Sequence, residues 1–510
     1  MKKAKLTQPQ NPNQQKIYWL NQINTSREDG TPVELKPTPE QIAVAIAKCS
    51  RSSTPFDQNI DDVSTEKAAE FHEKWVVGYG HSSVAEHAVS SVAFQNIPQP
   101  VIKILEDSRL ASFTEKSSRY QIFTRDRVAI PETLQNSIFA KEVNELFDEL
   151  YRLYDECYIL LKPIMQKRAP QNISEGAKKA IIKAMICDRT RYLLPAAALG
   201  SLGMTTNARV WEHVIIKLLS SADPLAQKIG QELKTVLKGQ EYLDKEQALE
   251  NFPLPTLLKY AEYNPYISET PQKLSNLIQE KIKKIPEKEY QNNLVKIIFD
   301  DISAEDKIAS NLLAKYGQLD IQKALQIIKK DPDLAKNLIH QALKNRGEHD
   351  APLREFEHAN FQHEIIIDYG AWRDIQRHRL CTQSNQPLGT DLGYEIPPEI
   401  KEINKYQEFQ YILEKAKDLH KKIFAYGLKA EAEYVVPMAF RRRVIISWNL
   451  RELFHFIELR SSKKGHPSYR HIAQEVWKTI NRTHPFLASY IRVDFDKNEN
   501  STLGNKPKGF

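Results

Sequence analysis

Glycine is scarce in this chain, with 17 among 510 residues. No G-x-G-x-x-G and no G-K-[ST] occurs, which excludes the Gly-rich phosphate cradles of Rossmann and P-loop sites. H-E-x-x-H and G-x-S-x-G are missing as well, so no metalloprotease helix or nucleophile elbow is expected. Cysteine is rarer still: Cys49, Cys157, Cys187 and Cys381 stand far apart with no C-x-x-C pair. That spacing argues against a disulfide framework and against a structural zinc site, and no metal is expected. No stretch approaches the roughly 20 apolar residues that cross a bilayer. The opening MKKAKLTQPQNPNQQ carries lysines with no apolar segment behind them, so the expectation is a cytoplasmic chain without a secretory signal or a membrane partner.

Excess charge is small too. A net +7 suits an anionic small ligand such as a nucleotide, but with no recognisable module it gives no footprint of nucleic-acid binding. What is present is the profile of a folded protein, 41% hydrophobic and 27% charged. The length exceeds what one core usually organises, so more than one domain is expected.

Residues 1–38 are polar and broken by Asn, Pro and Gly, and read as a flexible arm. From Pro39 onward apolar residues return every three to four positions, as in Val143 to Leu161, Lys178 to Leu194 and Tyr406 to Tyr426. SSVAFQNI and HANFQHEIII alternate as strands do. The fold class expected is α+β, mainly helical, with a short sheet in each half. Residues 241–289 lose the regularity, with Pro253, Pro255, Pro265 and Pro271 followed by a Lys/Glu-rich stretch, and read as a linker. It separates domains at 39–240 and 290–510.

An internal repeat supports that division. Pro195 precedes Asn207, Arg209 and His213, and Pro437 precedes Asn449, Arg451 and His455 at the same spacing. Upstream, Glu86-His87 and Glu357-His358 each open a strand-like segment that leads to Arg109 or Arg379. Arg209 with His213, and Arg451 with His455, are i, i+4 pairs on one helix face; a capping or core-edge pair would have the same spacing.

Two clusters carry chemistry. Arg377, His378 and Arg379 are adjacent at the end of an apolar stretch, HEIIIDYGAWRDI. Such cations repel unless an anion joins them; a solvated basic turn is the other reading. Ser112 to Tyr120 is a hydroxyl-rich run in which Glu115, Lys116, Ser117, Ser118 and Arg119 could hold a phosphate and a base edge; an ordinary Ser/Thr loop is the alternative there.

These clusters resemble the flavin-dependent thymidylate synthase (ThyX) family, whose members carry R-H-R-x-x-S-x-N-x-x-S-x-R-Y. RHRLCTQSNQPLGTDLGY in the second half keeps R-H-R but has Pro387 and Gly389 in place of the later Ser and Arg. DSRLASFTEKSSRY in the first half keeps S-x-R-Y but has Asp107, Ser108 and Thr114 where the family has Arg, His and Asn. GHSSVAEH resembles the family's G-H-x-[ST]-x-x-E-H element, and N-A-R and N-L-R its Asn-x-Arg segment, with His213 and His455 where Asn is common. The chain thus resembles two fused copies of that fold.

The resemblance implies conversion of dUMP to dTMP with methylenetetrahydrofolate as one-carbon donor, FAD as hydride carrier and NADPH as reductant. It implies a dUMP site of Arg377, Glu115, Lys116, Ser117, Ser118, Arg119, Arg191 and Arg460, with Arg460 the catalytic residue that polarises the uracil. It implies an FAD site of Ser83, Glu115, Arg377, His378, Arg379, Asn207, Arg209, His213, Asn449, Arg451 and His455. The losses are complementary. Arg377 and Arg460 match the family in the second half, where the first has Asp107 and Leu218; Arg119 and Arg191 match in the first half, where the second has Gly389 and Glu433. One composite site per pair of halves follows, in a homodimer that forms a pseudo-tetramer. The competing reading is a catalytically inactive relative that binds nucleotide or flavin.

Overall fold

The structure is a computed structural model describing residues 20–50, 52, 54–240, 245–282 and 294–495. Among them no helix is long and apolar enough to cross a membrane. The chain forms two compact units that do not follow the order of the repeat. The first comprises the described residues to Ile97, Val101–Glu115 and those from Gly200 to Ile282; the second comprises Pro98–Pro100, Lys116–Leu199 and those from Leu294.

The fold is mainly helical with small antiparallel sheets. Nine strands are described: β1 Ile23–Ser26, β2 Pro32–Leu35, β3 Val89–Pro98, β4 Ala111–Glu115, β5 Leu199–Asn207, β6 Val295–Phe299, β7 Asn360–Asp368, β8 Thr382–Asn385 and β9 Arg441–Asn449. They pair as a β1-β2 hairpin, a three-stranded β3-β5-β4 sheet and a four-stranded β6-β7-β9-β8 sheet. The two alternating segments singled out in the sequence are β3 and β7. The expected helices are Ala140–Arg168, Glu175–Thr190 and Tyr406–Tyr426.

The expected arm and linker are partly built in. Residues 1–19 lie outside the described part, but β1 and β2 occupy the rest of the arm, with Ile23 buried against Ala45 and Ile60. Within 241–289, Leu254, Leu257, Leu258 and Ala261 join the first unit's core around Trp211 and Phe94. The prolines misled because Pro265 is the first residue of helix Pro265–Ile282, where its missing N–H costs nothing. Asn264 caps that helix by accepting from Tyr266 N at 3.0 Å.

Glu40 ties the same stretch to helix Pro39–Cys49, its Oε1 accepting from Thr256 N and Leu257 N at 2.9 Å each. Burial pushes its carboxyl up to about 7, against those two N–H groups. The folded state therefore binds the Glu40 proton more tightly than the unfolded chain, and stability falls as pH rises toward 7. Glu40→Gln is expected to stabilise the chain at pH 8 by up to about 3 kcal/mol, and little at pH 5, in urea melts at the two pH values.

In the second unit, equivalent segments of the two copies face each other. Pro195 bridges Pro437, Ala196 N donates to Val436 O at 2.9 Å, and Met438 N donates to Leu194 O at 2.9 Å. Reciprocal pairing of equivalent residues is the mark of a local twofold. Helices Ala140–Arg168 and Tyr406–Tyr426 extend it, joined by Lys415–Glu149 at 2.7 Å and Lys422–Glu142 at 2.9 Å.

Candidate functional site

Each copy runs from a strand into an asparagine cap and then a helix. Asn207 Oδ1 accepts from Val210 N at 3.0 Å, and Asn449 Oδ1 from Glu452 N at 2.9 Å. The arginine two positions on pairs with the upstream glutamate in both copies: Arg209 with Glu86, and Arg451 with Glu357 at 3.1 Å. The divergence comes at the helix end. Leu218 is fully buried in the first unit's core, while Arg460 closes helix Leu450–Arg460 and points to a polar cluster.

That cluster unites residues far apart in sequence. Arg119 donates from Nε and Nη2 to the two carboxylate oxygens of Asp188 at 2.7 and 2.9 Å, and from Nη1 to Tyr469 OH at 3.2 Å. The guanidinium carbons of Arg119 and Arg460 lie 5.9 and 5.4 Å from the centroid of the same Tyr469 ring. Arg460 Nε donates to His378 Nε2 at 2.9 Å, and its Nη1 lies 3.8 Å from Asp374 Oδ1.

Arg191 is 2% exposed, and among the described residues its Nε and Nη2 meet no hydrogen-bond partner. It stands beside Gly370, where a Cβ would come within 3.4 Å of its Nε. Asp188, Asp368 and His466 feel its charge. A buried guanidinium with unused donors costs several kcal/mol unless an anion completes it. The equivalent position of the second copy is closed instead, since Glu433 accepts from Leu388 N at 3.3 Å and Leu388 is buried.

Protonation states follow the packing. Burial would raise the Asp188 carboxyl, but Arg119 overrides it and holds it at about 2. Its stabilising contribution is therefore full above about pH 4 and is lost as pH falls toward 2. Burial raises Asp368 to about 6, against Arg191 and the Ser468 hydroxyl. Asp188→Asn leaves Arg119 without its counter-charge and is expected to cost about 3–5 kcal/mol in denaturant melts at pH 7.

His378, Glu452 and His455 place ligand atoms within 4.8 Å of one another. A cation there would face the Arg460 guanidinium, 2.9 Å from the His378 ring, so the cluster suits no metal.

Beside it opens a cavity of about 1200 Å³ whose lining includes Asn449, Arg451, His455, Arg346, Arg354 and Arg492. The volume accommodates a dinucleotide such as FAD. Its arginines are held by carboxylates, Arg346 and Arg492 by Glu458, and Arg354 and Arg451 by Glu357. The lining thus fits the group in size, while its arginines are already paired with Glu357 and Glu458, which a bound phosphate would have to displace.

Of the residues expected to bind FAD, Asn449, Arg451 and His455 line this cavity, while Arg377, His378 and Arg379 do not. Arg377 is exposed, Arg379 half-buried and His378 buried. Ser83, Glu115, Asn207, Arg209 and His213 belong to the first unit. Of those expected to bind dUMP, Arg119, Arg191 and Arg460 lie in the second unit with Lys116, Ser117 and Ser118; Ser117 Oγ accepts from Arg119 N at 3.2 Å. Sequence reasoning missed Tyr469, Asp188, Glu452 and the cavity's Arg346 and Glu458. Only Asp188, in the last turn of helix Glu175–Thr190 and three residues before the Arg191 that follows it, carried a local signal.

Fold and site together define a duplicated α+β protein in which Arg119 of one copy and Arg460 of the other flank the Tyr469 ring. The chain belongs to the thymidylate synthase complementing protein family, whose model matches residues 33–237 and 300–486. A UPF0159 protein of Chlamydia muridarum is 30% identical over 461 residues, covering 86% of this chain and 83% of that protein. A UPF0159 protein of Thermoplasma acidophilum is 26% identical over 493 residues, covering 88% and 94%. A flavin-dependent thymidylate synthase of Clostridium tetani is 25% identical over 177 residues, 35% of this chain and 68% of that protein.

Proposed function

We propose that the chain is a thymidylate synthase that binds dUMP at the Arg119–Arg191–Arg460 cluster and converts it to dTMP. The observation that carries the reading is Arg191, whose buried Nε and Nη2 have no partner among the described residues; a nucleotide phosphate is the anion that suits them. Arg119, fixed by Asp188, would give the phosphate a second guanidinium. Arg460, across Tyr469, would take the charge that develops on the uracil ring, as an oxyanion site does.

FAD in the cavity beside His455 would supply the hydride, methylenetetrahydrofolate the carbon and NADPH the reducing equivalents. The chain's own residues bind, orient and polarise. Arg377 joins the phosphate site in this reading, and two chains form a pseudo-tetramer. Purified protein reconstituted with FAD is expected to be yellow and to form dTMP from dUMP, methylenetetrahydrofolate and NADPH; a colourless protein that forms none would overturn the reading.

One observation favours the alternative, a nucleotide-binding relative without turnover: the carboxylates already paired with the cavity's arginines. Tight dUMP binding with no flavin retained would decide for it.

A further inference from the structure

We propose that His378 and Glu452 are positioning residues for Arg460: Glu452 fixes the imidazole with its proton on Nδ1, and the bare Nε2 holds the guanidinium against Tyr469. The inference rests on the reading of Arg460 as the catalytic group. An arginine Nε–H can only donate, so at 2.9 Å the His378 Nε2 must accept. The ring proton then sits on Nδ1, directed at Glu452 Oε1 2.8 Å away. His378 and Glu452 are 1% and 4% exposed, so water does not compete for either bond. Both ring nitrogens are occupied, and no ring nitrogen is left for a cofactor, a role different from the one the family resemblance implies.

The groups facing the ring are Glu452, His455 and Arg460 on helix Leu450–Arg460, with the edge of Phe456 at 5.1 Å between centroids. Asp374 and Tyr469 face the guanidinium from two further helices. Burial pushes His378 down to about 4, opposed by Glu452, so the ring is uncharged and free to accept at neutral pH.

The repeat gives an independent argument. The first-copy counterparts of His378, Glu452 and Arg460 are Ser108, Val210 and Leu218. All three members are missing together, as expected of groups that work only as a set.

The test uses the full chain labelled with 15N in histidine, with the His378 signal assigned as the one lost in His378→Gln. A long-range 1H–15N spectrum at pH 7 is expected to show His378 protonated on Nδ1 and bare on Nε2, and Glu452→Val is expected to abolish that pattern. A wild-type ring protonated on Nε2, or on both nitrogens, would overturn the proposal. In parallel, His378→Ala should lower kcat about tenfold or more with little change in KM for dUMP. His378→Gln, whose amide oxygen can still accept from Arg460, should recover most of the loss; equal turnover in all three proteins would also overturn it. A wild-type chain with the expected ring pattern but no dTMP would instead remove the proposed reaction and leave the positioning intact.

Discussion

Replacing Arg191 with methionine is expected to leave a folded chain at least as stable as the wild type and to weaken dUMP binding by about 10²–10⁴-fold. The side chain is fully buried with Nε and Nη2 unmatched. A methionine of similar length fills the space beside Gly370 without a charge to desolvate. Asp188 keeps Arg119 as its partner, and Asp368, already raised to about 6, loses the opposing Arg191 charge and takes up a proton more readily while keeping its bonds to Ser468 and Ala371 N. The binding loss follows from two charged hydrogen bonds at about 1.5–3 kcal/mol each. Calorimetric titration with dUMP and urea melts of both proteins check the two halves of the prediction. Stability and binding falling together would make Arg191 a structural residue.

Arg460→Ala is expected to act on the other step. If the guanidinium meets charge that appears only as the uracil reacts, its loss lowers kcat by about 10²–10³. The dUMP affinity then stays near the wild-type value, because the phosphate is held by Arg119 and Arg191. Arg460→Lys should be little better, since an ammonium lacks the planar fork that lets one guanidinium hold the His378 bond and still present donors to the uracil. Steady-state kinetics with a separate dUMP binding measurement separate the cases. A raised Kd with unchanged turnover would place Arg460 in ground-state binding only.

Much of the architecture was legible because it is periodic. The alternation in SSVAFQNI and HANFQHEIII marked β3 and β7, and the 3.6-residue pattern marked helix Tyr406–Tyr426. Proline was the weak guide. Pro265 and the residues before it looked like linker, yet Leu254, Leu257 and Leu258 pack into a core whose periodicity is too short to register.

At the site, the complementary losses at Arg191/Glu433 and Leu218/Arg460 were readable, since the copies can be compared position by position. The pairings were not. Arg119 meets Tyr469 across 350 positions, and nothing local marks that tyrosine. The division of labour inside Arg377-His378-Arg379 was hidden as well: three adjacent polar residues look equivalent in sequence, but the helix end at Gln376 buries His378 and leaves Arg377 exposed.

Equilibrium dialysis of dUMP against the full chain tests the central claim most directly. Arginines drawn from both copies into one cluster predict a single dUMP per chain, lost in Arg191→Met. Two nucleotides per chain, or one that persists without Arg191, would contradict it.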